Sequence, residues 1–353
     1  MLKKSAVPSH HNHSCLDRLV HSSDDDPGIR RLRCGKGFRY NHADGGRITQ
    51  QDKNRIQALV IPPAWTDVWI CTVANGHLQA TGRDERGRKQ YRYHSSWMTS
   101  QGETKFAMLP DFARGLSRLR QTIEADMRRR SLCREKVVAT VIFLMDRLLL
   151  RVGNLNYARE NKSYGITTLR NRHLKMEGSS VRFIFTGKSG KIWNLALTDR
   201  RIARIVRSVQ ELPGQQLFQY LDEARERRPV TSQDINDYLR ATTNAEFTSK
   251  HFRTWAGTTL ALEALRSVEL PENAGAVKRA LNAEIDKVAA ALGNTRAVCR
   301  NSYIHPHVLN AWLDGQLVSQ IQAATSIRIL APELDDAERR TLKWLLYTQT
   351  QSA

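Results

Sequence analysis

Near residue 100 the spacing of apolar residues changes period, and this limits the fold more than any other feature of the chain. Before it lie short segments rich in β-branched and aromatic residues: Val68-Trp69-Ile70-Cys71, His77-Leu78-Gln79-Ala80 and Gln90-Tyr91-Arg92-Tyr93. Asn75-Gly76 and the polar stretch around Gly87 separate them, a pattern that reads as antiparallel strands with turns. A short helix precedes them; Thr49 is placed to cap it, Asp52 lies in its first turn, and Ile61-Pro62-Pro63 ends it. Beyond residue 100 the period becomes helical, over Phe112 to Arg130 and Glu135 to Arg151. In Ala276 to Leu292, Val277, Leu281, Ile285, Val288 and Leu292 share one face, and Gly293 supplies a stop. One interlude, His173 to Leu197, reads as three strands with Gly187-Lys188-Ser189-Gly190 at the second turn. Glu333 to Tyr347 is the last predicted helix.

Strands followed by helices predict an α+β chain. Residues 29–100 form a small antiparallel β-rich domain. Residues 106–353 form a mainly helical domain carrying a three-stranded sheet, joined to the first near residues 98–106. Residues 1–28 are polar, with His10, His11, His13 and Asp24-Asp25-Asp26-Pro27, and read as a mobile tail without a metal site.

Charge narrows the partners. The 353 residues hold 55 Lys plus Arg against 35 Asp plus Glu, a net +20 and a pI near 10.1. Such a field concentrates polyanions, so nucleic acid or an anionic membrane surface is the expected partner. No apolar run approaches the roughly 20 residues that span a bilayer, and the N-terminus lacks the apolar core of a signal peptide. Cys15, Cys34, Cys71, Cys133 and Cys299 are scattered, and no pair has CxxC spacing, so neither a zinc site nor a disulfide framework is implied. A reducing cytoplasm is the simplest setting.

Two familiar chemistries are excluded. Gly187-Lys188-Ser189 has the ending of a phosphate-binding loop, but the glycine required five residues earlier is Arg182, and a strand rather than a helix follows. A Mg²⁺-dependent nuclease needs clustered carboxylates, and the acidic runs Asp24 to Asp26 and Asp335-Asp336 have no further acidic ligands around them in sequence. A basic protein acting on phosphates without metal must neutralise transition-state charge with Arg and Lys.

Five segments then occur in order. They are Val60-Ile61-Pro62-Pro63-Ala64-Trp65 with the run from Thr81 to His94; Arg151-Val152-Gly153-Asn154-Leu155-Asn156-Tyr157; Phe185-Thr186-Gly187-Lys188; Lys250-His251-Phe252-Arg253-Thr254-Trp255; and Gly293-Asn294-Thr295 with Tyr303 nine residues after Asn294. In this series, from about residue 30 to 320, the chain resembles the small, poxvirus-type type IB DNA topoisomerases, a family with bacterial members. The resemblance implies the catalytic fold shared by tyrosine recombinases and type IB topoisomerases. It implies relaxation of supercoiled duplex DNA by transient cleavage of one strand through a 3′-phosphotyrosine, strand rotation and religation, without ATP or metal. It also implies a monomer that clamps duplex DNA, and hence a nucleoid-associated cytoplasmic enzyme with no cofactor.

Residue by residue, the resemblance makes Tyr303 the nucleophile. Arg151 and Arg253 clamp the scissile phosphate, Lys188 protonates the leaving 5′-oxygen, and Asn294 donates to a nonbridging oxygen. Gln90, Tyr91 and Tyr93 make base and backbone contacts in the major groove, Lys89 and Arg92 add phosphate contacts, and Tyr157 contacts the backbone near the cleavage site. The chemistry fits the residue types. Arginine offers a permanently charged fork matched to phosphate oxygens, and an aryl phosphodiester retains the energy of the broken bond. Many relatives have histidine where this chain has Asn294; asparagine still donates but carries no titratable charge.

Each residue alone also has an ordinary reading: packing for Tyr303, Tyr91 and Tyr93, a helix-terminal charge for Arg151, an ion-pair partner for Arg253, a solvated turn for Lys188, a cap for Asn294. Two other functions share the signals. A tyrosine recombinase uses a similar Arg, Lys, Arg and Tyr set, but usually has His-x-x-Arg where this chain has Lys250-His251-Phe252-Arg253, and its first domain is typically helical. A non-catalytic duplex DNA-binding protein could keep the fold. RNA binding would share the charge, but no RNP-type motif is evident.

Overall fold

A computed structural model of the chain describes residues 19–351. The chain divides into two compact units, 1–104 and 105–353.

The first unit is a five-stranded sheet with one short helix packed on it and a second helix at its C-terminal end. Its strands are β1 (Ile29–Cys34), β2 (Gly37–His42), β3 (Thr66–Ile70), β4 (Leu78–Arg83) and β5 (Lys89–Tyr93), in the order β2-β1-β3-β4-β5, all pairs antiparallel. Helix α1 (Gln50–Ala58) begins as its sequence predicts: the Thr49 hydroxyl accepts from the Asp52 amide at 3.0 Å. Ile29, Ile56, Val68, Ile70 and Ala80 form the core. β5 is an edge strand, so one side of its backbone has no neighbouring strand.

The expected mobile tail needs correction. Residues 1–18, with the three histidines, lie outside the described residues, but residues 19–28 are bonded to the sheet. Val20 forms a parallel bridge with Gly76. The Ser22 hydroxyl donates to the Leu78 carbonyl at 3.0 Å, and the Trp69 indole donates to the Asp26 carbonyl at 2.9 Å. Asp24 takes a hydrogen bond from Thr81 at 3.0 Å and pairs with Lys89 at 2.5 Å. The polar residues of this segment cap donors and acceptors on the sheet, which composition alone does not reveal.

Helix α2 (Ser95–Ala107) leads into the second unit, where α3 (Leu109–Met127) and α4 (Arg134–Leu148) pack against each other. After the short α5 (Leu155–Glu160) come β6 (Leu174–Glu177), β7 (Ser180–Thr186) and β8 (Ile192–Thr198), an antiparallel sheet in that order. β7 buries Val181, Phe183 and Phe185, every second residue, as a one-sided strand must. Then follow α6 (Arg200–Gln210), the small hairpin β9 (Gln219–Leu221) and β10 (Arg227–Pro229), and α7 (Ser232–Thr243). Helices α8 (Ser249–Leu265), α9 (Ala274–Leu292), α10 (Arg296–Ser302), α11 (Pro306–Leu313), α12 (Leu317–Ala323) and α13 (Asp336–Gln351) complete the chain. Among the described residues no helix is long and apolar enough to cross a membrane.

Four helices of this unit meet at one buried polar knot. Arg120 of α3 donates to Asp146 of α4 at 2.8 Å and to both oxygens of Glu338 of α13 at 2.6 and 2.8 Å. The Trp255 indole of α8 donates to the same Glu338 at 3.0 Å. The knot fixes α8, which carries Arg253 two residues before Trp255.

Candidate active site

Five side chains far apart in sequence converge in the second unit, and the local backbone explains each position. Helix α4 ends three residues before Arg151, because Leu149 turns left-handed at φ 54°. Arg151 therefore stands in a loop rather than closing a helix, which corrects its helix-terminal reading. The loop is pinned from behind. The Ile166 amide donates to the Arg151 carbonyl at 2.8 Å, and the Gly153 amide to the Thr167 hydroxyl at 3.0 Å. Lys188 stands exposed at the tip of the β7–β8 hairpin, where Ser189 takes φ 64° and Gly190 φ 77°. Tyr303 is the residue on which α10 ends.

Arg253 projects from α8 and is 4% exposed. Its guanidinium donates through one terminal nitrogen to the Leu149 carbonyl and through the other to the Leu292 carbonyl. It thereby ties together the two segments that carry Arg151 and Asn294. Among the described residues no carboxylate pairs with it, which removes its ion-pair reading. The guanidinium lies over the Tyr303 ring, 5.1 Å from the centroid. Burial and then the like charge of Arg151 bring Arg253 down to about 10, still protonated at neutral pH. On Tyr303 burial acts to raise the phenol, but the charges of Arg253, Arg151 and Lys188 outweigh it, and the net shift is below the ordinary value near 10.

Asn294 is oriented by its neighbour. Arg151 donates to its Oδ1, and because a guanidinium has no acceptor the amide nitrogen must face away. That Nδ2 is buried and unpartnered, as is the Nε of Arg253. These are the two buried side-chain nitrogens left without a partner among the described residues. Buried donors are nearly always satisfied, so these two orphaned donors, one on the Arg253 guanidinium itself and one on the amide held by Arg151, mark a place for an anion. Among the described residues no group of His, Cys, Asp and Glu could hold a metal ion.

Tyr157, on α5, is exposed and lines a cleft of about 270 Å³ together with Arg151, Gly153, Tyr164 and Lys188. The strand residues belong to the first unit. Tyr91 and Tyr93 are exposed and stack with ring centroids 6.1 Å apart, which removes their core-packing reading. Lys89 lies 5.7 Å over the Tyr91 ring. Gln90 and Arg92 alternate to the other face. Gln90 donates to Asp84 at 3.0 Å, and Arg92 donates to the Val60 carbonyl at 3.1 Å and lies over Trp65. The five residues of β5 thus do not form one surface.

The sequence reading missed the residues that hold the site in place. Trp193 packs against two glycines: a Cβ on Gly187 would lie 2.6 Å from its indole, and one on Gly293 would lie 2.2 Å away. It therefore locks the Lys188 hairpin onto the end of α9, just before Asn294. Gly257, one turn after Arg253, lets the Tyr303 backbone come close, since a Cβ there would lie 2.6 Å from the Tyr303 carbonyl oxygen. The next residue, Thr258, accepts from the His305 amide at 3.1 Å. A glycine inside a predicted helix was the available signal.

Residues 94–324 match the family described as eukaryotic DNA topoisomerase I, catalytic core, and residues 37–84 match the bacterial DNA topoisomerase IB N-terminal domain. A DNA topoisomerase 1B of Acanthamoeba polyphaga mimivirus is 32% identical over 293 residues, 81% of this chain and 87% of the relative. The chain belongs to the type IB DNA topoisomerases. More distant relatives of the topoisomerase are a DNA topoisomerase 1 of rabbit fibroma virus (strain Kasza) and a DNA topoisomerase 1B of vaccinia virus (strain Western Reserve). The first is 22% identical over 277 residues, 76% of this chain and 84% of the relative. The second is 23% identical over 137 residues, 38% of this chain and 44% of the relative. The expected fold class stands: an N-terminal antiparallel sheet followed by a mostly helical catalytic region. The topoisomerase is an isomerase that acts on DNA.

Proposed function

We propose that the topoisomerase relaxes duplex DNA through a covalent link at Tyr303, with Arg151, Arg253, Asn294 and Lys188 completing the site. The observation that carries this reading is the phenol held beneath Arg253, beside two buried donors that lack partners. The Tyr303 oxygen attacks the scissile phosphorus. Its bond to phosphorus forms as the bond to the 5′-oxygen breaks, and Lys188 gives that oxygen a proton. The lowered phenol pKa favours loss of the Tyr303 proton as the bond forms. Charge growing on the nonbridging oxygens meets the guanidinium of Arg151, the Nε–H of Arg253 and the Nδ2–H of Asn294. Rotation of the free end releases supercoils. The 5′-hydroxyl then attacks the phosphotyrosine and restores the strand, so neither ATP nor metal is consumed.

On β5, the exposed pair Tyr91 and Tyr93 is the base-reading face of this proposal and Lys89 adds a phosphate contact, while Gln90 and Arg92 support the strand and the nearby backbone. Tyr157 contacts the backbone beside the cleaved bond. The two units close on the duplex as a monomer, at the bacterial nucleoid. Affinity falls steeply with salt as phosphate contacts release counterions. The test is relaxation of a negatively supercoiled plasmid in EDTA without nucleotide. Stepwise relaxation supports the proposal; binding without relaxation overturns it.

A further inference from the structure

Helix α10 ends on the nucleophile, and its last carbonyls have no partner within the helix. One of them, the carbonyl of Ser302, accepts a hydrogen bond at 2.6 Å from the ammonium of Lys105, almost 200 residues earlier in the chain and near the end of α2. The next residue of α2 grips the other flank of Tyr303. Phe106 is buried, and its ring lies 5.2 Å from that of His305. The Lys105 ammonium itself sits 4.2 Å over the Phe106 ring. The turn from Ser302 to His305 is therefore held by α8, through Gly257 and Thr258, and by two consecutive residues at the end of α2.

The surroundings of Lys105 are unusual for a half-buried ammonium. Lys250, His251 and His305 face it, and among the described residues no carboxylate does. Burial, and then the charge of Lys250, bring Lys105 down to about 8. Among the described residues its one hydrogen-bond acceptor is the carbonyl just before Tyr303. A stability role would be better served by an apolar side chain of the same length.

We propose that Lys105 is a positioning residue for the nucleophile: with Phe106, it sets the turn that presents Tyr303 to Arg253, and it ties that turn to the helix joining the two units. This rests on Tyr303 being the nucleophile. Movement of α2 is thereby read directly at the phenol, because the tie runs through one hydrogen bond and one ring contact.

The test compares Lys105→Met and Lys105→Arg with the wild type in single-turnover cleavage of a nicked duplex that traps the covalent adduct. Thermal midpoint is measured beside it, and noncovalent duplex affinity is measured for each change combined with Tyr303→Phe. Methionine keeps the stem over Phe106 and deletes the donor. Lys105→Met is expected to slow adduct formation by about ten- to a hundredfold at saturating duplex, as a misplaced nucleophile does. Its midpoint and affinity stay at wild-type values, and Lys105→Arg recovers most of the rate. Cleavage by Lys105→Met within twofold of wild type overturns the proposal, as does a loss that follows the midpoint downward or is equal in both variants. An adduct formed by Tyr303→Phe alone would instead overturn the assignment of the nucleophile.

Discussion

Gly257→Ala isolates the geometry of Tyr303 from its chemistry. The substitution adds one methyl group on α8 and touches neither phosphate donors nor the phenol oxygen. An ideal Cβ at this position lies 2.6 Å from the Tyr303 carbonyl oxygen and 3.1 Å from the Tyr303 Cβ, where ordinary contact begins at 3.4 Å. Both are backbone or backbone-proximal atoms of one residue, so the tyrosine must move away from α8 by about 0.8 Å. Near-attack geometry tolerates little of this; a displacement of about 1 Å costs on the order of a hundredfold in rate. Stability responds differently. Alanine is favoured over glycine inside a helix by about 1 kcal/mol, against an overpacking cost of about 1–3 kcal/mol, so the net loss is at most about 2 kcal/mol. The assay is single-turnover adduct formation at saturating duplex, with chemical denaturation and duplex affinity measured on the same preparation. The expected result is a rate lowered roughly fiftyfold or more with affinity retained. Cleavage within threefold of wild type would show that α8 does not set the position of Tyr303.

Four other substitutions probe the site and the packing that supports it. Asn294→Asp replaces the unpartnered Nδ2 donor by an acceptor beside Arg151 and the phosphate; cleavage in the same assay should fall by about 10²–10³-fold, the usual loss for one such donor. Trp193→Ala empties the space between Gly187 and Gly293 and should cost about 3–5 kcal/mol in urea denaturation, with the Lys188 hairpin loosened. Arg120→Leu leaves the carboxylates of Asp146 and Glu338 buried without their cation, and should cost about 3–5 kcal/mol at neutral pH. Glu338 also sets an acid limit. Burial acts to raise its carboxyl, but Arg120 outweighs this and holds it below the ordinary range. Its contribution is therefore complete above the unfolded value near 4.3 and is lost as pH falls through the lowered one. Melting of the wild type should drop below about pH 4, and Glu338→Gln, weaker at pH 7, should show a flatter acid limb.

Much of this molecule was legible because its signals are local. The three strands between His173 and Leu197, the helical stripe from Val277 to Leu292 and the stop at Gly293 all appear in the structure where the sequence puts them. Other features depend on distant partners. Residues 19–28 look like a polar tail until their donors and acceptors meet β3 and β4. Glu135 to Arg151 reads as one helix, yet Leu149 turns left-handed and frees Arg151 into a loop, where Ile166 and Thr167 hold it. The site residues were readable as an ordered set of motifs. What supports them was not, because Trp193, Gly257 and Lys105 matter through contacts with residues far along the chain. The alternation of β5 was also informative, but the bonds that commit Gln90 to Asp84 and Arg92 to Val60 were not.

The central claim is that Tyr303 forms the covalent link to DNA, and mapping the adduct tests it most directly. A nicked duplex whose short 5′-hydroxyl fragment diffuses away traps the protein on the 3′ end. Nuclease trimming, proteolysis and mass spectrometry then locate the nucleotide. One modified peptide is expected, carrying a 3′-phosphoryl nucleotide on Tyr303, and none from Tyr303→Phe protein that still binds the duplex. A nucleotide on another residue, or an adduct that survives Tyr303→Phe, would contradict it.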